Sequence, residues 1–119
     1  ALTLHPLVLL PPRDWLYARC DRRFAMMLER GALAEVEALL ARRLDPDLPV
    51  MRAIGVPEIA AYLAGEATLS EAEARAAQAT RNYAKRQYTW FRRQLPPQWR
   101  RNETESCDLE ASFELLLRN

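Results

Sequence analysis

The chain has 119 residues, of which 50% are hydrophobic and 28% are charged, with two cysteines, three glycines and eight prolines. This length and composition suit one soluble globular domain with a core of its own. We expect a cytoplasmic protein without a membrane span or signal peptide, because no apolar run reaches about 18 residues and no basic segment precedes an apolar one. A single histidine and two distant cysteines exclude a conventional tetrahedral metal site, and the glycines form no phosphate-binding loop.

The net charge of +1 conceals an uneven distribution along the chain. Residues 1–74 have a net charge of −3, residues 75–101 of +8 with no acidic side chain, and residues 102–119 of −4. A basic block beside an acidic tail indicates an anionic partner, nucleic acid above all. A solvated basic helix face is the alternative.

The N-terminal segment Leu2–Leu10 is apolar enough for a strand, although Pro6 interrupts it and limits it to a short or edge strand. No later segment has a strand pattern, so this strand lacks a partner within the chain and indicates a fragment of a larger protein. An extended arm that packs over the helices is the alternative. Apolar residues at helical spacing then predict an amphipathic helix over 13–30, closed by Gly31.

Two further helices are predicted in the middle of the chain. The amphipathic pattern repeats over 33–40, and the prolines of segment 45–49 indicate a connector. Pro57 is well placed as the first residue of a helix that ends at Gly65.

The longest helix is predicted to begin at Ser70, which forms a capping box with Glu73. It can run to Leu95, where two prolines stop it, and a short final helix is expected over 108–117. The predicted fold class is therefore a mainly α-helical fragment with one N-terminal strand.

On a helical wheel, the charges of the long helix lie on one side and the apolar residues on the other. We expect Tyr83, Trp90 and Phe91 to be core residues, whereas Tyr88 is the stronger candidate for stacking on a base. Gln87 is either a satisfied core amide or a group aimed at a base edge. The cations within an arc of about 140° are Arg75, Arg81, Lys85, Arg86, Arg92 and Arg93.

Two weaker patterns lie upstream of the long helix. The segment 52–55 places backbone N–H groups at the start of the Pro57 helix, which suits an anion, although a simple turn is the alternative. Arg19 and Arg23 are one turn apart on the first helix and either clamp a phosphate or form a solvated pair.

The sequence Thr-Arg-Asn-Tyr-Ala-Lys-Arg-Gln-Tyr-Thr-Trp-Phe-Arg at 80–92 closely resembles the signature near the C-terminus of tRNA dimethylallyltransferases. The similarity extends upstream through Arg-Ala-Ile-Gly at 52–55 and Arg-x-x-x-Arg at 19–23, and it covers about residues 8–95. The resemblance implies the C-terminal part of a P-loop-type α/β transferase.

Enzymes of this family transfer a dimethylallyl group from its diphosphate, with magnesium, to the N6 amine of a flipped-out adenosine beside the anticodon of tRNA. The resemblance implies that the segments 52–57 and 85–92 contact the anticodon stem-loop. It also places Arg19 and Arg23 on the diphosphate side of the reaction channel. The tRNA-binding residues predicted in this way, with Arg81 added from the wheel, are Arg52, Ala53, Ile54, Gly55, Val56, Pro57, Arg81, Lys85, Arg86, Gln87, Tyr88, Thr89, Trp90, Phe91 and Arg92.

The chain departs from the family in two respects. The family has Gly-Tyr-Arg-Glu where this chain has Gly-Val-Pro-Glu at 55–58, so an aromatic side chain and a cation are lost. The phosphate loop, the general-base aspartate and the inserted helical domain of the family are absent from this sequence. We therefore expect no catalytic residue, no bound magnesium or other cofactor, and no activity in this chain alone.

The sequence predicts three parts: residues 1–12 as a strand and loop of a parent α/β sheet, 13–101 as a helical tRNA-contacting region, and 102–119 as an acidic tail with a short helix. The expected partners are tRNA, dimethylallyl diphosphate in the complete enzyme, and either the missing N-terminal half or a second copy paired through the strand. A stand-alone helical RNA-binding or scaffolding module without catalysis is the alternative.

Overall fold

A computed structural model describes residues 2–105 and Glu114 of the chain. The chain forms two compact units. We call the residues up to Leu16, together with those from Ala84 onward, the terminal unit, and Tyr17–Tyr83 the central unit. The elements in chain order are β1 (Leu7–Leu9), α1 (Arg13–Glu29), α2 (Ala32–Ala41), α3 (Pro49–Arg52), α4 (Val56–Leu63), α5 (Leu69–Gln94) and β2 (Arg100–Asn102).

In the terminal unit, β1 and β2 pair as parallel strands, with Val8 opposite Arg101. The Leu10 N–H extends the ladder by donating a hydrogen bond of 2.8 Å to the carbonyl oxygen of Asn102. The side chains of Val8 and Leu10 are buried. Backbone hydrogen bonds to β2 and the burial of Val8 and Leu10 therefore fix the position of β1 in the terminal unit.

The short strand expected within Leu2–Leu10 is present as β1, but the expectation that it has no partner within the chain is wrong. The strand has three residues, because Pro6 has no N–H to donate to a ladder and the chain before it stays outside the pairing. Its partner β2 has the sequence Arg-Arg-Asn, which lacks the apolar alternation that identifies a half-buried strand. Only the backbone hydrogen bonds reveal this second strand.

The core of the central unit forms where α1, α2, α4 and α5 contribute side chains to one cluster. Its buried members are Phe24, Ala32, Val36, Ile59 and Ala76. Phe24 and Val36 lie on the apolar faces that the sequence predicts for the first two helices, and removal of these faces from water stabilises the unit.

The start of α5 differs from its prediction. The helix begins at Leu69, and the hydroxyl oxygen of Thr68 accepts a hydrogen bond of 3.1 Å from the Glu71 N–H. Thr68 is therefore the N-cap, and the predicted capping box of Ser70 with Glu73 is wrong. Both residue pairs, Thr68 with Glu71 and Ser70 with Glu73, have the spacing of a cap.

The other helices agree with the sequence except for α3. The helices α2 and α4 lie where the pattern places them, with Pro57 as the second residue of α4. The sequence does not predict α3, which begins at Pro49 inside the proline connector; proline is favoured in the first turn of a helix. The predicted helix over 108–117 lies outside the described residues apart from Glu114.

The mainly α-helical fold class is confirmed. Within the described part of the chain, no helix combines the length and the apolar character needed to cross a bilayer.

Candidate nucleic-acid interface

The C-terminal part of α5 lies in the terminal unit and carries a concentration of exposed cations. The side chains of Lys85, Arg86, Arg92 and Arg93 are exposed. No acidic residue occurs between positions 75 and 101, so no acid on the same turns offsets their charge. Cations spaced by helical turns on a solvent-facing surface suit contacts to successive phosphates.

The aromatic residues of α5 do not lie in the core, so that prediction is wrong. Tyr83, Trp90 and Phe91 are 51%, 54% and 40% exposed. The rings of Trp90 and Phe91 meet edge to face, with their centroids 5.3 Å apart. The buried positions of α5 are instead alanines at 72, 76 and 84. Because these small residues recur at multiples of four, they form the packing stripe, and the larger rings beside it project into solvent.

The ring of Tyr88 is half-buried and already has a cationic partner in the terminal unit. The guanidinium carbon of Arg13 lies 4.9 Å from the ring centroid, which is a cation–π contact. One face of the ring is therefore covered by this chain itself. Thr89 beside it is also half-buried.

The side chain of Gln87 is exposed, which overturns the core-amide alternative and leaves its amide available to a base edge. The sequence predicted that Tyr88 would be the exposed ring available to a base. In the structure, Trp90 and Phe91 are more exposed than Tyr88. A wheel cannot detect this exchange, because it assigns a direction to each side chain without showing how wide the buried arc is.

Arg101 holds the C-terminal end of α5, a role that the sequence analysis missed. Its Nη2 donates to the carbonyl oxygens of Arg92 and Leu95 at 3.4 and 3.3 Å. The last carbonyls of a helix have no partner within the helix, and a cation there satisfies them and opposes the negative end of the helix dipole. The available sequence signal was a basic residue shortly after a proline-terminated helix.

Arg81 belongs to the central unit and forms an ion pair. Its Nη1 donates to Oδ2 of Asp21 on α1 at 2.8 Å, and its Nη2 donates to Oε1 of Gln78 at 2.9 Å. The Gln78 amide in turn donates to Oδ1 of Asn82 at 2.9 Å. Arg81 therefore differs from the exposed cations of the terminal unit. Sequence spacing gave no signal for Asp21, since 60 residues separate the two partners.

The segment 52–57 contains the turn between α3 and α4. Gly55 has a φ of +103°, and its N–H donates to Oε2 of Glu58 at 2.8 Å. The Glu58 carboxylate thus accepts the Gly55 N–H, which was a candidate donor to an external anion. This internal hydrogen bond favours the interpretation of the segment as a simple turn. The exposed residues of the segment, available to a partner, are Arg52, Ala53, Ile54 and Pro57, whereas Val56 is half-buried.

Arg19 and Arg23 are exposed on α1 in the central unit. They are four residues apart, so their side chains leave the same side of the helix. Among the residues that the structure describes, no three His, Cys, Asp or Glu side chains are grouped so that they could hold a metal ion.

Comparison with known proteins assigns the class of this fold. The family model described as "IPP transferase" matches residues 2–94. The chain therefore belongs to the IPP transferase family, which confirms the resemblance seen at 80–92.

Curated relatives of the chain bear a more specific name. The chain is similar to the tRNA dimethylallyltransferase of Erythrobacter litoralis, with 66% identity over 95% of the chain and 36% of the relative. It is also similar to the tRNA dimethylallyltransferase of Sphingopyxis alaskensis, with 61% identity over 98% of the chain and 39% of the relative. The chain thus spans little more than a third of the length of these curated relatives.

Two solved structures have the same fold over most of the chain. The full-length tRNA isopentenylpyrophosphate transferase from Bacillus halodurans matches 92% of this chain and 36% of that protein, with 34% identity and a TM-score of 0.77. The tRNA delta(2)-isopentenylpyrophosphate transferase from Staphylococcus epidermidis matches 96% of this chain and 37% of that protein, with 27% identity and a TM-score of 0.80.

Proposed function

We propose that this chain is the tRNA-contacting, C-terminal part of a tRNA dimethylallyltransferase. The complete enzyme transfers the dimethylallyl group of dimethylallyl diphosphate to the N6 amine of the adenosine beside the anticodon. The observation that carries this proposal is the exposed cationic and aromatic surface of α5 in a chain whose relatives bear that name. The cytoplasm, where tRNA is found, is the proposed location.

The exposed residues of α5 suit different kinds of RNA contact, according to their chemistry. Lys85, Arg86 and Arg92 supply positive charge for the backbone phosphates, which gives affinity without sequence information. Trp90 and Phe91 supply ring surface on which unpaired bases stack, and Gln87 supplies a donor and an acceptor for a base edge. Single-stranded loops are recognised by this combination, because their bases can leave the helical stack.

The remaining proposed contacts lie on the turn and on α1. Arg52 stands at the end of α3 beside the exposed residues Ala53 and Ile54, a position suited to a phosphate or sugar contact. Arg19 and Arg23 are the proposed contacts of the diphosphate, which two guanidinium groups on one side of a helix can bind through several donors. Magnesium, general-base chemistry and the phosphate loop belong to the rest of the enzyme, so this chain alone is expected to be inactive.

A strand partner is the second proposed contact. β1 has β2 on one edge, and on the other edge no strand of the described residues pairs with it. Leu9 of β1 is 55% exposed. Parallel sheets are normally covered on both faces and continued by further strands. We propose that the rest of the enzyme supplies a strand to this edge, and that a second copy of the chain takes its place when the chain is isolated.

The test of the proposed function is a salt titration of binding to an anticodon stem-loop with adenosine beside the anticodon, against a scrambled hairpin of the same length. We expect preference for the anticodon loop, and we expect Lys85→Ala or Arg92→Ala to flatten the logarithmic salt dependence by about 0.7 each. Equal affinity for both hairpins would assign selection to the rest of the enzyme. Absence of salt-dependent binding would overturn the proposal.

A further inference from the structure

Arg75 and Arg81 lie on the basic side of α5 but have different ion pairs. Arg75 is 3.8 Å from Glu71, and both side chains are more than half exposed. Arg81 is 2.8 Å from Asp21, and the two side chains are 31% and 42% exposed. A loose exposed pair is worth little and opens readily, whereas a short, charge-assisted hydrogen bond is stronger.

The ion pair is part of a larger network. Arg81 also donates to Gln78, and Gln78 donates to Asn82, so the guanidinium has a fixed orientation. The second carboxylate oxygen of Asp21, Oδ1, is buried and has no hydrogen-bond partner among the described residues. Arg81 is the only cation of the described residues that forms an ion pair with Asp21. An RNA phosphate that takes Arg81 must leave this carboxylate unpaired.

We propose that Asp21 is a specificity-determining residue for RNA binding, because its carboxylate withholds the Arg81 guanidinium from non-specific phosphates. This inference rests on the proposed function of the α5 surface. Non-specific affinity grows with each cation that can neutralise a phosphate. A cation with an internal anion adds nothing until the RNA contacts elsewhere on the surface are sufficient to displace that anion. Penalising the wrong partner in this way raises selectivity.

The test compares Asp21→Asn with wild type in the 119-residue chain by salt titration against the anticodon stem-loop and the scrambled hairpin. The amide keeps a hydrogen-bond acceptor for Arg81 but removes the charge. We expect the logarithmic salt dependence with the scrambled hairpin to steepen by about 0.7, an additional loss of about 2.6-fold in affinity between 50 and 200 mM salt. The preference for the anticodon loop falls correspondingly.

Glu71→Gln is the matched control, since it removes the same charge from the loose pair with Arg75 on α5. It should leave the salt dependence close to that of wild type. The double variant Asp21→Asn with Arg81→Gln should lose the added steepness. Asp21→Ser, which also removes the carboxylate but keeps a small hydrogen-bond acceptor, should steepen the dependence as Asp21→Asn does.

An unchanged salt dependence in Asp21→Asn or in Asp21→Ser, with melting temperatures near that of wild type, overturns this inference alone. If Asp21→Asn does not fold, the result with Asp21→Ser decides. Steepening that persists in the double variant also overturns it, because the added contact then comes from another residue. If the wild-type chain binds neither hairpin, the proposed function fails first, which separates the two outcomes.

Discussion

Gly55 is the residue at which backbone and packing requirements coincide. Its φ of +103° lies in a region that residues with a Cβ rarely adopt. A Cβ added there would also lie 3.1 Å from Cε2 of the Phe24 ring, which belongs to the buried core. The turn before α4 is therefore fixed by a glycine that contacts the core.

We predict that Gly55→Ala destabilises the chain more than Gly31→Ala. Gly31 has a φ of +104° but no atom within 4 Å of an added Cβ, so it reports the backbone strain alone, about 1–2 kcal/mol. The additional loss in Gly55→Ala measures the displacement of Phe24. Urea denaturation gives both values, and equal losses would show that the ring yields without cost.

The exposure of Trp90 changes what its removal should do. A core tryptophan costs about 3–5 kcal/mol when truncated, but Trp90 is 54% exposed and contacts Phe91 at its edge. We predict that Trp90→Ala lowers the stability by about 1 kcal/mol or less and weakens binding to the anticodon stem-loop by about 1–3 kcal/mol through lost stacking.

Thermal melting by circular dichroism and hairpin titration test the two parts of the Trp90 prediction. Phe24→Ala, which truncates a buried ring, is the control for a true core substitution and should lower the melting temperature strongly. Loss of a cooperative transition in Trp90→Ala would contradict its exposed placement.

At the scale of the element, α5 depends on residues beyond both of its ends. Thr68 caps the first turn through the Glu71 N–H. Arg101 on β2 binds the carbonyl oxygen of Arg92 in the last turn and that of Leu95 just after it. The helix keeps its C-terminal turns next to the prolines because a cation from a separate strand replaces the missing hydrogen-bond donors. These Arg101 hydrogen bonds lie close in sequence to the exposed residues Trp90, Phe91 and Arg92.

We predict that Arg101→Gln frays the end of α5. Hydrogen exchange of the amides at 91–95 should accelerate, because the carbonyls of Arg92 and Leu95 lose their donor. Arg101→Lys keeps a cation beside the dipole and should give an intermediate rate. Exchange at the start of α5 serves as the internal reference, and acceleration of equal size there would point to global destabilisation instead.

At the scale of the whole molecule, β1 pairs with β2 along one edge, and no strand of the described residues pairs with its other edge. A strand edge with an exposed leucine is a template for another strand. We predict concentration-dependent self-association of the isolated chain, measured by sedimentation velocity, and its loss in Leu9→Lys.

The matched control for this prediction is Leu48→Lys, because Leu48 is 41% exposed but lies in the central unit outside any strand. It should leave the association unchanged. A monomer at every concentration, with the β1 amides protected from exchange, would show that the two-stranded sheet needs no further partner.

The sequence alone predicted four of the five described helices, the charged surface and the family. Amphipathic spacing predicted α1 and α2, and Pro57 indicated the start of α4. The absence of acidic residues among the cations at 75–101 predicted the basic surface. These properties depend on residues that are near one another in the sequence. The segment 80–92 identified the relatives by its side chains, before any contact was known.

Only the tertiary structure decided which of these features are buried, paired or extended. The strand β2 is defined by backbone bonds to a segment more than 90 residues away, and Asp21 meets Arg81 across 60 residues. The burial of the alanines of α5 rather than its aromatic rings depends on how closely other elements approach the helix. Such choices are set by long-range contacts, for which a local sequence pattern has no signal.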